Sequence, residues 1–198
     1  MILDDAWGID EAGRAAIAGP LVIAAYHPCE HIGGVKDSKK LTEKQREALY
    51  PRLLESGVAK IKVIPVRKID KYGIVTAEMW EIGFMLDEQI YHEVVVDGPR
   101  YKVWDEIEQN VMGVQFLGDD LRFEVDADDK YYSVAAASII AKVFRDHLMK
   151  LWHEIYPEYN WASNKGYPTP EHCCAVREHG LTPLHRKTFV ERIVSGRG

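Results

Sequence analysis

The chain has 198 residues, 46% hydrophobic and 28% charged, a composition that suits an ordinary globular protein and excludes a disordered or collagen-like polymer. A formal net charge of −6 excludes a protein that holds nucleic acid by global charge alone, but not one whose acids gather in a metal site. The longest apolar runs, such as residues 20–25, are too short to span a bilayer, so no membrane partner is expected.

The opening MILDDAWGID lacks a basic segment followed by an apolar run, and no secretory signal is expected. Three cysteines, two of them adjacent (Cys173 and Cys174), make a poor disulfide framework and point to a reducing, cytoplasmic setting. His172-Cys173-Cys174 has no second C-x-x-C or H-x-H element beside it, so no zinc site is expected. Cationic residues cluster early (Lys36, Lys39, Lys40, Lys44, Arg46) and late (Arg177, Arg186, Lys187, Arg192, Arg197), with an acid-rich segment at 93–129. That pattern fits a negative site between positive surfaces, and equally fits solvated faces.

In chain order, Trp7–Asp10 begins a first strand and Leu21–Tyr26 reads as a buried one, with Gly8, Gly13 and Gly19-Pro20 marking turns. Thr42 and Gln45 resemble a capping box opening a helix to about Glu55. Ala59–Val66 alternates like a half-buried strand, and Ile74–Tyr91 carries apolar residues at helical spacing. Val94–Asp97 is an uninterrupted Val run of the kind covered on both faces. A helix over about Lys102–Asn110 leads to a weaker strand at either Val114–Leu117 or Arg122–Val125, and a long amphipathic helix spans Tyr131–Ile155. Without repeats or linkers, the chain is expected to form one α/β unit with a central sheet flanked by helices.

Four acids stand out by position. Asp10 and Glu11 end the first strand, Asp97 ends the Val run, and Asp128 precedes the long helix, with Asp129 beside it. Ligands in open α/β sheets bind beyond strand ends, so these acids have a reason to converge. Two unit charges about 4 Å apart repel by roughly 4 kcal/mol at an effective dielectric near 20. Divalent cations remove that penalty, and all-oxygen ligation favours Mg2+ or Mn2+. The plain alternatives stay open: an acidic dipeptide is often merely solvated, and either Asp128 or Asp129 serves equally as an N-cap. Neighbours on a regular strand also face opposite ways, so Asp10 and Glu11 share a site only if the backbone turns, for which Gly13 offers the means.

Several ordered blocks narrow this. Gly8-Ile-Asp-Glu-Ala-Gly-Arg14, Lys36-Asp-Ser-Lys-Lys-Leu41, Val95-Val-Asp-Gly98, Ala135-Ala-Ala-Ser-Ile-Ile-Ala-Lys142, Arg145-Asp146, Asn164-Lys-Gly-Tyr-Pro-Thr169 and His185-Arg186 closely resemble the ribonuclease HII (type 2 ribonuclease H) family. The resemblance implies a ribonuclease H-like fold over residues 1–198, with a mixed central sheet and a helical C-terminal part from about 131. It implies two-metal-ion hydrolysis of RNA in RNA–DNA hybrids and of ribonucleotides embedded in duplex DNA, leaving 3′-hydroxyl and 5′-phosphate ends. By the same resemblance Asp10, Glu11, Asp97 and Asp128 match the catalytic, metal-binding acids, with a one-residue ambiguity towards Asp129. Gly13, Arg14 and Ala15 stand where a Gly-Arg-Gly loop meets the ribonucleotide 2′-hydroxyl, the group that distinguishes RNA from DNA. Tyr167 matches a tyrosine that stacks on the following sugar, or else caps the core; Lys39, Lys40, Lys165 and Arg186 look like phosphate contacts, and Arg145-Asp146 like an internal pair.

Ala15 departs from the usual glycine, and alanine tolerates positive φ poorly, so weakened recognition of single ribonucleotides is expected, with activity kept on longer hybrids. No sliding-clamp-binding tail is evident, and a monomer is expected. A G-x-S-x-G elbow, a P-loop and an H-E-x-x-H motif are all missing. The competing readings are another ribonuclease H-like nuclease, such as a junction resolvase, and a non-catalytic hybrid-binding protein.

Overall fold

The computed structural model describes residues 1–87, 93–110 and 121–194. Its centre is a strand, β1 (Trp7–Ala12), followed antiparallel by β2 (Leu21–Pro28) and β3 (Gly57–Ile64). On its other edge β1 pairs in parallel with β4 (Val94–Asp97), which pairs in parallel with β5 (Leu121–Glu124). The resulting order β3-β2-β1-β4-β5 is the mixed sheet expected from the sequence.

Both faces are covered. Ile9, Ile23, Val94 and Val96 pack against Met79, Ile82 and Trp104 of α3 (Ile74–Asp87) and α4 (Lys102–Asn110). Ala12, Val22 and Ala24 pack on the opposite face against α1 (Glu43–Ser56) and α6 (Tyr132–Ile155). Val95 faces α6 through Val134, so the Val run is buried on both sides, as its composition predicts. Each fully buried Val or Ile of this kind contributes about 1.5–3 kcal/mol. The alanines of α6 let it lie close on the sheet, and a Cβ on Gly8 would come within 2.2 Å of the backbone at Ser133 and Val134.

α1 opens with the predicted capping box: the Thr42 hydroxyl accepts from the Gln45 N–H, and the Gln45 side chain accepts from the Thr42 N–H at 2.9 Å. Three boundaries differ from expectation. β1 runs on to Ala12 because the chain does not turn until Gly13, whose φ is +96°. β3 stops at Ile64, since Pro65 has no N–H for the ladder and instead leads into α2 (Val66–Tyr72), which had no sequence signal of its own. A short helix, α5 (Ala127–Lys130), separates β5 from α6. The expected helix over 74–91 is described as far as Asp87, and the alternative strand at 114–117 lies outside the described residues.

The C-terminal part is helical, with α7 (Trp161–Asn164), α8 (Pro170–His179) and α9 (Lys187–Val194). Its core of Met149, Tyr159, Trp161, Val176 and Val190 includes Ile17 and Ala18 from the β1–β2 connection. The two regions thus share a core exactly where the chain first turns, at the edge of the acids described next.

Candidate active site

β1 and β4 run side by side with Ile9 opposite Val96, so the next residues along the two strands are Asp10 and Asp97. Both lie on the α6 side of the sheet. Asp128 reaches the same place from α5, whose first N–H, that of Ala127, donates to Asp97 Oδ1 at 2.7 Å. One carboxylate oxygen from each of Asp10, Asp97 and Asp128 lies within 4.8 Å of the others. Asp129 is outside this group, exposed and paired with Lys40. Neither residue caps the long helix, whose N-cap is Tyr131, so the capping alternative does not hold.

Burial and mutual repulsion hold these groups above the usual carboxylate range. Asp10 is raised well above it, by burial first and then by the charges of Glu11 and Asp97. Asp128 is pushed up to about 6 by burial and by Asp97, and Asp97 is raised mainly by burial. Three oxygen donors in such a state fit a hard divalent cation, which would supply the missing positive charge. Lys39 supplies part of it, with Nζ 3.4 Å from Asp128 Oδ2. Ser138 of α6 hydrogen-bonds Asp10 and also meets Ser38 at 2.7 Å.

Glu11 points the other way, as alternation on a strand requires, and does not join the three aspartates in this structure. Its Oε1 lies 3.5 Å from Arg14 Nη1, which also makes a short hydrogen bond to Glu78 of α3. Arg14 Nη2 donates to the Tyr101 hydroxyl at 2.7 Å. Glu78 is buried, and burial followed by the Glu11 charge pushes it up to about 8 against the pull of Arg14. Sequence reasoning missed Glu78 and Tyr101, since neither stands in a quoted block.

A cleft of about 340 Å³ opens over Asp10, Glu11 and Asp97, with Gly13, Arg14, Ala15, Lys39, Lys142 and Tyr167 among its walls. The sequence profile of the family described as "Ribonuclease HII" matches residues 7–192. A ribonuclease HII of Anaplasma phagocytophilum (strain HZ) is 40% identical over 189 residues, which span 92% of this chain and 84% of that one. The chain belongs to the ribonuclease HII family. It is a metal-dependent hydrolase of the ribonuclease H type. The crystal structure of ribonuclease H2 from Pyrococcus horikoshii OT3 superposes with a TM-score of 0.76 at 27% identity, covering 96% of this chain and 97% of that one. A ribonuclease HII from Archaeoglobus fulgidus, solved as a complex with PCNA, superposes with a TM-score of 0.73 at 27% identity over 91% and 93%.

The remaining positions suggested by likeness to ribonuclease HII fall into two groups. Tyr167 is half-buried at the cleft, its ring 5.5 Å from Lys142 Nζ and 5.4 Å from the Arg145 guanidinium carbon. Lys39 and Lys40 are exposed beside the acids. Lys142, the last residue of the Ala-Ser-Ile block, also lines the cleft and is tied to Asp146 at 2.7 Å; its place in that block was the signal for it.

Lys165 and Arg186 do not sit as phosphate contacts in this structure. Lys165 is buried, with Nζ bonded to the Ala162 carbonyl and 3.8 Å from Glu43. Arg186 is fully buried and donates to the carbonyls of Gly19 at 2.9 Å and Arg14 at 3.1 Å. Arg145 and Asp146 are both internal but not paired with each other: Arg145 donates to the carbonyls of Pro20, Lys165 and Ala18 at 2.8–3.0 Å. These two arginines hold the β1–β2 connection in place, and Gly13 is required there because a Cβ would meet Arg145 Nε at 2.0 Å. Ala15, by contrast, is exposed in a turn and does not have positive φ, so the strain expected at it is absent.

His172 is not part of a metal fragment. Its Nδ1 faces the Tyr167 carbonyl at 2.9 Å, while Nε2 accepts from Trp161 Nε1 at 3.0 Å and meets His185 Nε2 at 3.2 Å. His185 Nδ1 in turn accepts from the Thr182 N–H at 3.0 Å. These partners are satisfied together when both rings are neutral.

Proposed function

We propose that this chain is an endoribonuclease that cuts RNA in RNA–DNA hybrids and ribonucleotides embedded in duplex DNA. The observation that carries the reading is the meeting of Asp10, Asp97 and Asp128 within 4.8 Å, beneath a cleft walled by the Gly13–Ala15 turn and Tyr167. The cofactor would be Mg2+ or Mn2+, as two ions: Asp10 and Asp97 would hold the one that activates water, and Asp128 the other, with Glu11 turning in to complete its shell. Such ions, when bound, activate water and stabilise the charge that develops on the departing oxygen.

The chain's own residues do the rest. The Gly13–Ala15 backbone faces the 2′-hydroxyl, Tyr167 stacks on the next sugar, and Lys39, Lys40 and Lys142 neutralise backbone phosphate. Arg186 supports the turn through the Arg14 carbonyl instead, and Lys165 is tied to the Ala162 carbonyl. The products carry 3′-hydroxyl and 5′-phosphate ends. The protein works as a single-domain monomer in the cytoplasm, a setting consistent with Cys29, Cys173 and Cys174 all being free thiols.

The test is cleavage of three labelled duplexes with Mg2+ or chelator: one embedded ribonucleotide, a long RNA–DNA hybrid, and all-DNA. Mg2+-dependent cutting of the first two with the third intact is the expected result, and Asp97→Asn should abolish turnover while still binding hybrid. Cutting of all-DNA would favour a resolvase, and no cutting under any metal a binding protein. Ala15 places a methyl group at the cleft without straining the backbone. Ala15→Gly is therefore expected to improve cleavage at the single ribonucleotide with little change on the long hybrid; equal rates for both proteins on both substrates would remove Ala15 from recognition.

A further inference from the structure

Glu78 has no part in the reaction as described, yet it lies behind Arg14 of the cleft wall, 2% exposed, on the second turn of α3. A buried carboxyl oxygen is stable only when hydrogen-bonded, and its donor is Arg14. The same Arg14 nitrogen, Nη1, also faces Glu11 Oε1 at 3.5 Å, so one donor nitrogen stands between two acid side chains and binds the nearer. Tyr101 holds the other terminal nitrogen at 2.7 Å and keeps the guanidinium from rotating. Without Glu78, the acid closest to Nη1 is Glu11. An arginine closed on Glu11 would occupy the oxygens that a divalent cation needs.

We propose that Glu78 is a positioning residue for metal binding: by taking the near contact with Arg14, it leaves the Glu11 carboxylate available to a divalent ion. The inference rests on the reading that Glu11 belongs to a metal shell. It adds a buried group on the far face of the sheet, which meets Arg14 and the Glu11 side chain and touches neither metal nor substrate. A purely structural Glu78 would affect stability and leave metal affinity alone.

The experiment is calorimetric titration of Mn2+ into the metal-free full-length protein, without substrate, with thermal melts of each variant. Glu78→Ala is expected to weaken Mn2+ binding about tenfold, the scale of one charge-assisted hydrogen bond exchanged for another. Glu78→Gln keeps an oxygen that accepts from Arg14 and should stay within about twofold of wild type. Arg14→Ala/Glu78→Ala removes the competitor, and affinity should return to within about twofold; this pair also leaves no unpaired buried charge, so it tests the idea even where Glu78→Ala alone fails to fold. Wild-type affinity in Glu78→Ala, an equal loss in Glu78→Gln, or no recovery in the double variant would overturn the proposal. A wild-type protein that takes up no Mn2+ would remove the metal reading itself, and this inference with it.

Discussion

At pH 7 the fold keeps Asp10, Asp97 and Asp128 together against their own repulsion, and the pH dependence of Asp128 exposes the cost. Its carboxyl is pushed up to about 6, above its unfolded value, so as pH falls through 6 the folded state takes up the proton first and the metal-free fold gains stability. Above that pH the penalty is fully present. Asp128→Asn is therefore expected to stabilise the metal-free protein at pH 7.5 by about 1–2 kcal/mol, a few degrees in a chain of this size, and by less at pH 5. It should also blunt the rise in Tm that Mn2+ gives the wild type. Calorimetric melts at both pH values check this, and a metal-free Asn variant that melts below wild type would show the repulsion to be unimportant. At this scale the sequence was readable where acids stood at the ends of elements: Asp10, Asp97 and Asp128 meet as their positions suggested. Glu78 was not readable, because an acid inside a helix has no local mark of the partner it faces. Arg186 misled for the converse reason: a cation reads as exposed until a fold supplies enough carbonyls to bury it.

Among the elements, the closest fit is between β1 and α6. Gly8 has no room for even one methyl group, its built Cβ lying 2.2 Å from α6 backbone rather than from a side chain that could yield. Since Asp10 stands two residues along β1 and Ser138 one turn along α6, pushing the two elements apart also displaces the acids. Gly8→Ala is expected to destabilise the protein by at least about 1–3 kcal/mol and to lower Mn2+ affinity in whatever fraction folds. Urea denaturation measures the first effect, and an unchanged midpoint would mean the helix can shift freely. Helical spacing of apolar residues located α3 and α6, an apolar run β2, and the Thr42–Gln45 capping box α1. These signals missed α2 and α5, which are short and set by their surroundings: one follows from Pro65 ending a strand, the other from Asp97 accepting its first N–H.

For the molecule as a whole, the buried His172–His185 pair couples the C-terminal helices to acidity. Burial and the neighbouring His172 push His185 down to about 4, below its unfolded value, so the unfolded chain gains its proton first as pH falls. Stability from this group is complete above about 6.5 and is lost between there and about 4. Allowing for partial solvation, it amounts to about 2 kcal/mol. Urea melts from pH 7.5 to 4.5 should thus show a steeper loss in wild type than in His185→Gln, and parallel curves would exclude the pair as the cause. The pair also anchors Tyr167, whose carbonyl lies 2.9 Å from His172 Nδ1. The connection between β1 and β2 is tied in a comparable way to the far end of the chain: Ile17 and Ala18 donate to the Gly166 carbonyl, Gly19 to that of Leu184, and Arg186 returns bonds to Ile17, Gly19 and Arg14. During synthesis on a ribosome, the turn that would read the substrate is made long before it is set, because its supports emerge at least 125 residues later. A growing chain would therefore already hold its acids while remaining unable to grip a strand, and would become competent only once Gly166, Leu184 and Arg186 have left the exit tunnel.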